Sequence, residues 1–285
     1  MRFAFKTSPQ NTTWADMLAV WRAADEIDVF ESGWTFDHFY PIFSDPAGPC
    51  LEGWTTLSAL AQATTRLRLG VLVTGIHYRH PAVLANMAAA VDIISGGRLE
   101  LGIGAGWNEE ESGAYGIELG TLTERFDRFE EACEVLIGLL SKDSTDFDGT
   151  FYQLKAARNE PKGPQRPHPP ICIGGNGEKR TLRIAARYAD HWNFVGGTPQ
   201  EFARKRDVLK AHCADVGRSP KEIMLSAHIR LTPERGHRGV LEDAIALGAE
   251  GLDLAIVYLP LPHDPAVLEP LAEAIRDSGL WRPGS

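Results

Sequence analysis

A (β/α)8 barrel of the TIM type is the architecture this sequence predicts. Short apolar runs closed by polar or glycine-rich turns recur eight times, and each is followed by a stretch with helical period. The length agrees: 285 residues hold eight such units around one core, so residues 1–285 read as a single domain.

In chain order the strand candidates are Arg2–Lys6, Gly33–Phe36, Leu67–Val73, Leu99–Ile103, Ile171–Ile173, His191–Val195, Ile223–Ile229 and Leu252–Val257. Most are apolar on both faces, as strands of a parallel barrel buried under helices must be. Two helices show the pattern between them. Over Pro81–Ile94 the positions Leu84, Met87, Ala88, Val91 and Ile94 share one face, Pro81 suits the first turn, and Gly96-Gly97 supply the stop. Over Glu124–Leu140 the positions Phe126, Phe129, Cys133, Leu136 and Leu140 do the same, and Thr121 with Glu124 forms a capping box at the entry.

The regularity breaks in three places. Asp37–Gly53 is an aromatic loop after the second strand, holding His38, Phe39, Tyr40 and Phe43, and Gly104–Gly120 is a glycine- and acid-rich loop after the fourth. Both follow strands, so both belong to the face where barrels carry chemistry. The third, Lys142–Pro170, lies between the fourth helix and the fifth strand, on the opposite face. Its FDGTFYQL reads as a small hairpin turning at Asp148-Gly149, a structural flap or an oligomer contact.

Composition narrows the function. A formal net charge of −9 argues against general nucleic-acid binding. The first stretch is polar and no apolar run is long enough to span a bilayer, so no membrane association and a cytoplasmic location are expected. Cys50, Cys133, Cys172 and Cys213 show no CxxC or Cys/His spacing and read as reduced thiols.

Four segments could carry chemistry. In ICIGGNGEKR a strand ends in Gly174-Gly175-Asn176-Gly177 and leads directly into a helix. Such a turn can aim several N–H groups at one phosphate, with Lys179 and Arg180 adding charge, or it can simply serve a tight connection. GIGAGWNEEE fails the dinucleotide fingerprint, because Trp107 stands where the third glycine belongs and an acidic loop follows. Its small residues Gly104, Ala105 and Gly106 would let a flat ligand approach, with Asn108 and Glu109 as polar contacts. A bulge packing Trp107 is the other reading. In FDHF, Asp37 can orient His38, which can exchange a proton near neutral pH. In VLVTGIHYRHP, His77 and His80 lack HxH or HExxH spacing, so no metal site is expected, and Arg79 can hold an acidic group. No GxSxG occurs, which disfavours hydrolase chemistry.

Five stretches together resemble the bacterial luciferase-like superfamily, in particular its F420-dependent oxidoreductases. They are TFDHF, LRLGVLVTGIHYRHPAVLANMAAAVDIISGGRLELGIGAGWNEEE, ERFDRFEEACEVL, FDGTFYQL and PPICIGGNGEKRTLRIAARYADHWNF, in order from Thr35 to Phe194. The C-terminal third matches only as a barrel. The resemblance implies a flavin or 5-deazaflavin in the barrel mouth, supported by a strand-three bulge with a non-prolyl cis peptide near Leu72–Val73 and Thr74. It sets Asp37 and His38 beside the redox ring, Asn108 at a polar contact, and Gly174–Gly177 at the cofactor phosphate. The wording favours F420, with FMN as the alternative. The activity implied is hydride transfer to or from a small organic substrate, His38 giving or taking the proton, and Phe39, Tyr40, Phe43 and Trp107 walling an apolar pocket. An FMN-dependent two-component monooxygenase is the rival, and an F420-binding protein without turnover a third reading. A homodimer is a common arrangement among members. One departure is visible: the connection after strand seven, Leu231–Arg238, is short where several members carry a long closing loop, so a small or open pocket is expected.

Overall fold

Alternation along the first strand sets the architecture. In β1 (Arg2–Lys6), Phe3 and Phe5 turn outward into the layer under the helices, while Ala4 joins Trp34, Leu72, Cys172, Leu254 and Ile256 inside. A strand with apolar groups on both faces must be covered on both, and closure into a barrel under a ring of helices does that. The computed structural model describes residues 1–282.

β2 (Phe30–Thr35), β3 (Arg68–Val71), β4 (Thr74–Gly75), β5 (Leu99–Gly104), β8 (Ile171–Gly174), β9 (His191–Phe194), β10 (Met224–Arg230) and β11 (Leu254–Tyr258) complete the wall with β1. Every pairing among them is parallel, running β3-β2-β1-β11-β10-β9-β8-β5, and the β3–β5 pairing closes the ring. β3 and β4 together form one of the eight positions, so the predicted (β/α)8 barrel is the observed fold.

Helices α1 (Trp14–Asp25), α2 (Gly53–Ala63), α3 (Pro81–Ser95), α5 (Leu122–Ser141), α6 (Thr181–Tyr188), α7 (Pro199–Asp215), α8 (Gly236–Ala249) and α9 (Leu268–Asp277) form the outer layer. Phe5 meets Trp21 of α1 and Phe30 of β2 edge-on, with ring centroids 5.3 and 5.7 Å away. α3 and α5 begin and end within two residues of the sequence reading, and Thr121 and Glu124 make both bonds of the capping box. No helix among the described residues is long and apolar enough to cross a membrane.

Several details differ from the sequence reading. The second strand starts at Phe30 rather than Gly33, and the eighth runs two residues later than expected at its start. The expected strand Leu67–Val73 is interrupted at Leu72-Val73, whose peptide is cis, and resumes as β4. The loop Gly104–Gly120 contains a short helix, α4 (Glu109–Ala114), which Asn108 caps through its side chain. The hairpin is present as β6 (Thr145–Asp148) and β7 (Gln153–Ala157), but it turns through four residues, 149–152, not at Asp148-Gly149. Glu131 of α5 explains the longer turn: its carboxylate accepts the N–H groups of Thr150, Phe151 and Tyr152.

Candidate active site

At the C-terminal ends of the strands the barrel opens into a cavity of about 490 Å3. Of the residues singled out in the sequence, His38, Leu72, Val73, Gly104, Ala105, Gly106, Gly174, Gly175 and Asn176 line it, with Phe43 and Trp107 at its mouth. Asp37, Thr74, Asn108 and Gly177 do not line it. The first three bond to protein groups, and Gly177 follows Asn176 in the turn before α6.

The side of the cavity above β2 and β5 is a network of paired charges. Glu111, 0 % exposed, accepts His38 Nδ1 at 2.7 Å, the Phe39 N–H at 2.6 Å and the Tyr78 hydroxyl. Burial works to raise its pKa, but those three donors win and hold the carboxyl below its usual range. Burial and this same carboxylate push the Tyr78 phenol up. With Glu111 ionised, the His38 proton sits on Nδ1, leaving Nε2 as the imidazole atom free to exchange a proton with a ligand. The rings of Phe36 and Trp107 flank His38 edge-on at 5.1 and 5.6 Å.

Asp37 is therefore not the orienting group for His38. Its carboxylate is gripped by both Arg79 Nη atoms, the Nη2 bond measuring 3.0 Å, and Arg79 reaches Glu52 at 3.4 Å as well. Burial raises the Asp37 pKa, and the Arg79 guanidinium opposes it. Adjacent residues leave a strand end in opposite directions, which is why Asp37 turns outward when His38 faces the cavity. Thr74 accepts the Trp54 indole N–H at 2.8 Å. Asn108 Oδ1 accepts the Glu111 N–H at 3.1 Å, so Asn108 supports the carboxylate that holds His38.

Two features shape what the floor and the glycine turn can hold. A Cβ on Gly104 would lie 2.9 Å from Val73 Cγ2, so only glycine lets β5 approach the bulge; Gly106 has φ +86° and a Cβ there would strike His77. The second is the turn before α6. Arg180 gives that helix no side-chain cap, and among the described residues the N–H groups of Asn176 and Gly177 have no protein acceptor. The side chain of Asn176 is already committed, accepting the Val195 N–H at 3.0 Å and donating to Gly196 O at 3.1 Å. Arg180 pairs with Asp127, and among the described residues exposed Lys179 has no ion-pair partner. Among the described residues no group of three or more His, Cys, Asp or Glu side chains is placed to hold a metal.

Sequence reasoning missed the opposite side. Lys6, Asn193, His228, Arg230 and Tyr258 also line the cavity. Below it, Glu100 pairs with Arg68 at 2.8 Å and His191 Nδ1 at 3.1 Å, His191 Nε2 meets Ser226 Oγ at 2.6 Å, and Asn193 Nδ2 donates to Ser226 Oγ at 2.8 Å. Burial favours the neutral acid at Glu100, but His191 and Arg68 overcome it and hold the carboxyl at about 2. The signal was present in MLSAHIR, where Ser226, His228 and Arg230 alternate with apolar residues; that period places polar groups in the lumen.

The barrel, its cis-peptide bulge at Leu72-Val73 and its glycine-rich mouth place one cavity at the C-terminal ends of the strands, where barrels of this kind carry chemistry. The chain belongs to the luciferase-like monooxygenase family, whose model matches residues 1–270. It is 32 % identical over 216 residues to the pyrimidine monooxygenase RutA of Stutzerimonas stutzeri (strain A1501), covering 70 % of this chain and 59 % of that protein. It is 35 % identical over 179 residues to the phthiodiolone/phenolphthiodiolone dimycocerosates ketoreductase of Mycobacterium sp. (strain JLS), covering 61 % of this chain and 46 % of that protein. The chain thus spans about half of the length of these relatives. Among solved structures, an F420-dependent secondary alcohol dehydrogenase in complex with an F420-acetone adduct superposes with a TM-score of 0.85 at 18 % identity, over 97 % of this chain and 98 % of the other, a likeness of fold.

Proposed function

We propose that this protein is an F420-dependent oxidoreductase that moves a hydride between the deazaflavin and a small organic substrate. The observation that carries this reading is the His38–Glu111 pair, 2.7 Å apart at the edge of the cavity. Two-electron transfer to or from a carbon–oxygen bond needs a proton exchanged at the oxygen, and a histidine fixed in one tautomer suits that task. When bound, the deazaflavin supplies a two-electron hydride carrier that need not activate oxygen. The residues that would hold it are Leu72, Val73, Gly104 and Ala105 along the ring and the N–H groups of Asn176 and Gly177 at the phosphate. His38 Nε2 exchanges the proton at the substrate, Glu111 keeps that ring upright, and Phe36, Ile42 and Trp107 exclude water from the apolar part of the pocket.

A second reading, FMN-dependent monooxygenation, is favoured by the similarity to a pyrimidine monooxygenase. Titration of the protein with F420 and with FMN, read by tryptophan fluorescence through Trp107, separates the two. The expected result is micromolar or tighter F420 binding with FMN at least tenfold weaker. Tighter binding of FMN, together with oxygen consumption when reduced FMN is supplied, overturns the proposal in favour of the monooxygenase.

A further inference from the structure

We infer that Lys6, His228 and Arg230 form a subsite for an oxyanion of the substrate, so that the molecule reduced or oxidised here is an organic acid. The identification of this ligand as substrate rests on the hydride-transfer reading; the subsite itself rests on the geometry of the wall.

Three neighbouring strand ends build it. Lys6 of β1 is the register partner of Tyr258 of β11, and Tyr258 is the register partner of Arg230 of β10, so the three stand in one row around the rim. His228 lies two residues below Arg230 on the same face. The Lys6 ammonium is 5.0 Å and the Arg230 guanidinium 5.2 Å from the centre of the Tyr258 ring, and the Ser8 hydroxyl bonds the Tyr258 hydroxyl.

No negative charge answers these groups. Among the described residues neither Lys6 nor Arg230 has a carboxylate within 4.0 Å. Lys6 is 4 % exposed and makes one hydrogen bond, to Leu72 O at 2.7 Å, so two of its three donors are unused. His228 Nε2 is buried with no partner. The lumen carboxylate Glu100 is already taken by Arg68 and His191. A ring quadrupole is a weaker partner for a buried cation than a counter-ion. The chain has 38 acidic residues against 29 basic ones, yet places none of them here. The missing charge is one a ligand can bring. Burial, followed by the Arg230 charge, presses the Lys6 ammonium down to about 7, a penalty that an adjacent oxyanion relieves.

The position fits a substrate better than a cofactor tail. Around the barrel β10 stands four places from β3 and β11 four places from β5, so Arg230 and Tyr258 face the bulge and the glycines of β5 across the lumen, while Lys6 of β1 reaches the bulge itself at Leu72 O. The glycine turn with its unpaired N–H groups follows β8, two places from β10 and four from β1. An acid held between Arg230 and Lys6 would lie beside a ring on the bulge, its apolar body toward Phe36 and Ile42.

Calorimetric titration tests this, with benzoate and phenyl phosphate as oxyanion probes and benzamide as the neutral counterpart, on protein with and without saturating cofactor. In the wild type at least one oxyanion is expected to bind tenfold or more tightly than benzamide. Arg230→Met and Lys6→Met should each remove that advantage while leaving benzamide binding unchanged, which also reports an intact pocket. The inference is overturned if neither oxyanion outbinds benzamide, or if both variants retain the preference. It is overturned in favour of a cofactor role if the variants lose F420 or FMN affinity and keep the oxyanion preference. Failure of the F420 reading shows in the cofactor titration alone, so the two results are independent.

Discussion

The two sides of the cavity handle charge in opposite ways. On the β2 side each buried carboxylate has its donors: Glu111 holds His38, Phe39 and Tyr78, and Asp37 holds Arg79. On the β10–β11–β1 side the buried donors have almost nothing: Lys6 reaches one carbonyl and His228 Nε2 none. A completed network fixes positions, because each member loses its partner if it moves. An incomplete one in a cavity has free valence for a ligand. The first side suits proton handling and the second suits recognition.

Breaking the completed side should have the larger effect. His38→Ala removes the proton-exchanging nitrogen, and turnover with F420 should fall by about 100-fold or more. Fluorescence titration should still give wild-type F420 affinity. Equal turnover would remove the role assigned to His38 and leave a protein that binds F420 without using it.

Arg79→Met should act on stability first. It strands the buried Asp37 carboxyl beside Glu52, and the loss of one partner of such a pair costs about 3 kcal/mol. Urea denaturation should show this as a lower midpoint with an unchanged slope. An unchanged midpoint would mean that the pair contributes nothing to the completed side.

The third variant sharpens the contrast because its sign is reversed. Lys6→Met should stabilise the ligand-free protein, since it deletes an unanswered buried cation. The folded-state pKa of Lys6 is lowered from 10.5 to about 7. Below about 7 both folded and unfolded chains carry the charge, so the wild type bears the whole burial penalty there. Between about 7 and 10.5 the unfolded chain binds the extra proton, and wild-type stability rises with pH. The Tm advantage of the variant should be largest below pH 7 and shrink through that window. A constant advantage would show that packing, not charge, sets it.

The fold was legible because its signals are local. Strand and helix periods repeat over a dozen residues, and the Thr121–Glu124 box or the Pro81 start can be read within one turn. The glycine turn at Gly174–Gly177 was legible for the same reason. Pairing was not. Asp37 and His38 are neighbours, and nothing in FDHF says that one goes to Arg79 and the other to Glu111, 73 positions on. Thr74, expected as a cofactor contact, faces Trp54, which only packing of the barrel brings near, whereas Asn108, expected likewise, caps its own short helix at Glu111, a local role. Lys6 and Arg230 meet across the first and seventh strand positions, and their register exists only once the ring closes. Alternation in MLSAHIR pointed inward without naming a partner.

A chain of bonds runs beneath the cavity. Ionised Glu100 accepts from His191 Nδ1, His191 Nε2 meets Ser226 Oγ, and Ser226 Oγ accepts from Asn193 Nδ2. The Asn193 amide commits its nitrogen to Ser226. Its carbonyl oxygen, which has no partner among the described residues, is what remains for the cavity. The barrel floor therefore reads like a socket of fixed polarity. At that point the cavity offers an acceptor to an N–H or O–H of whatever occupies it.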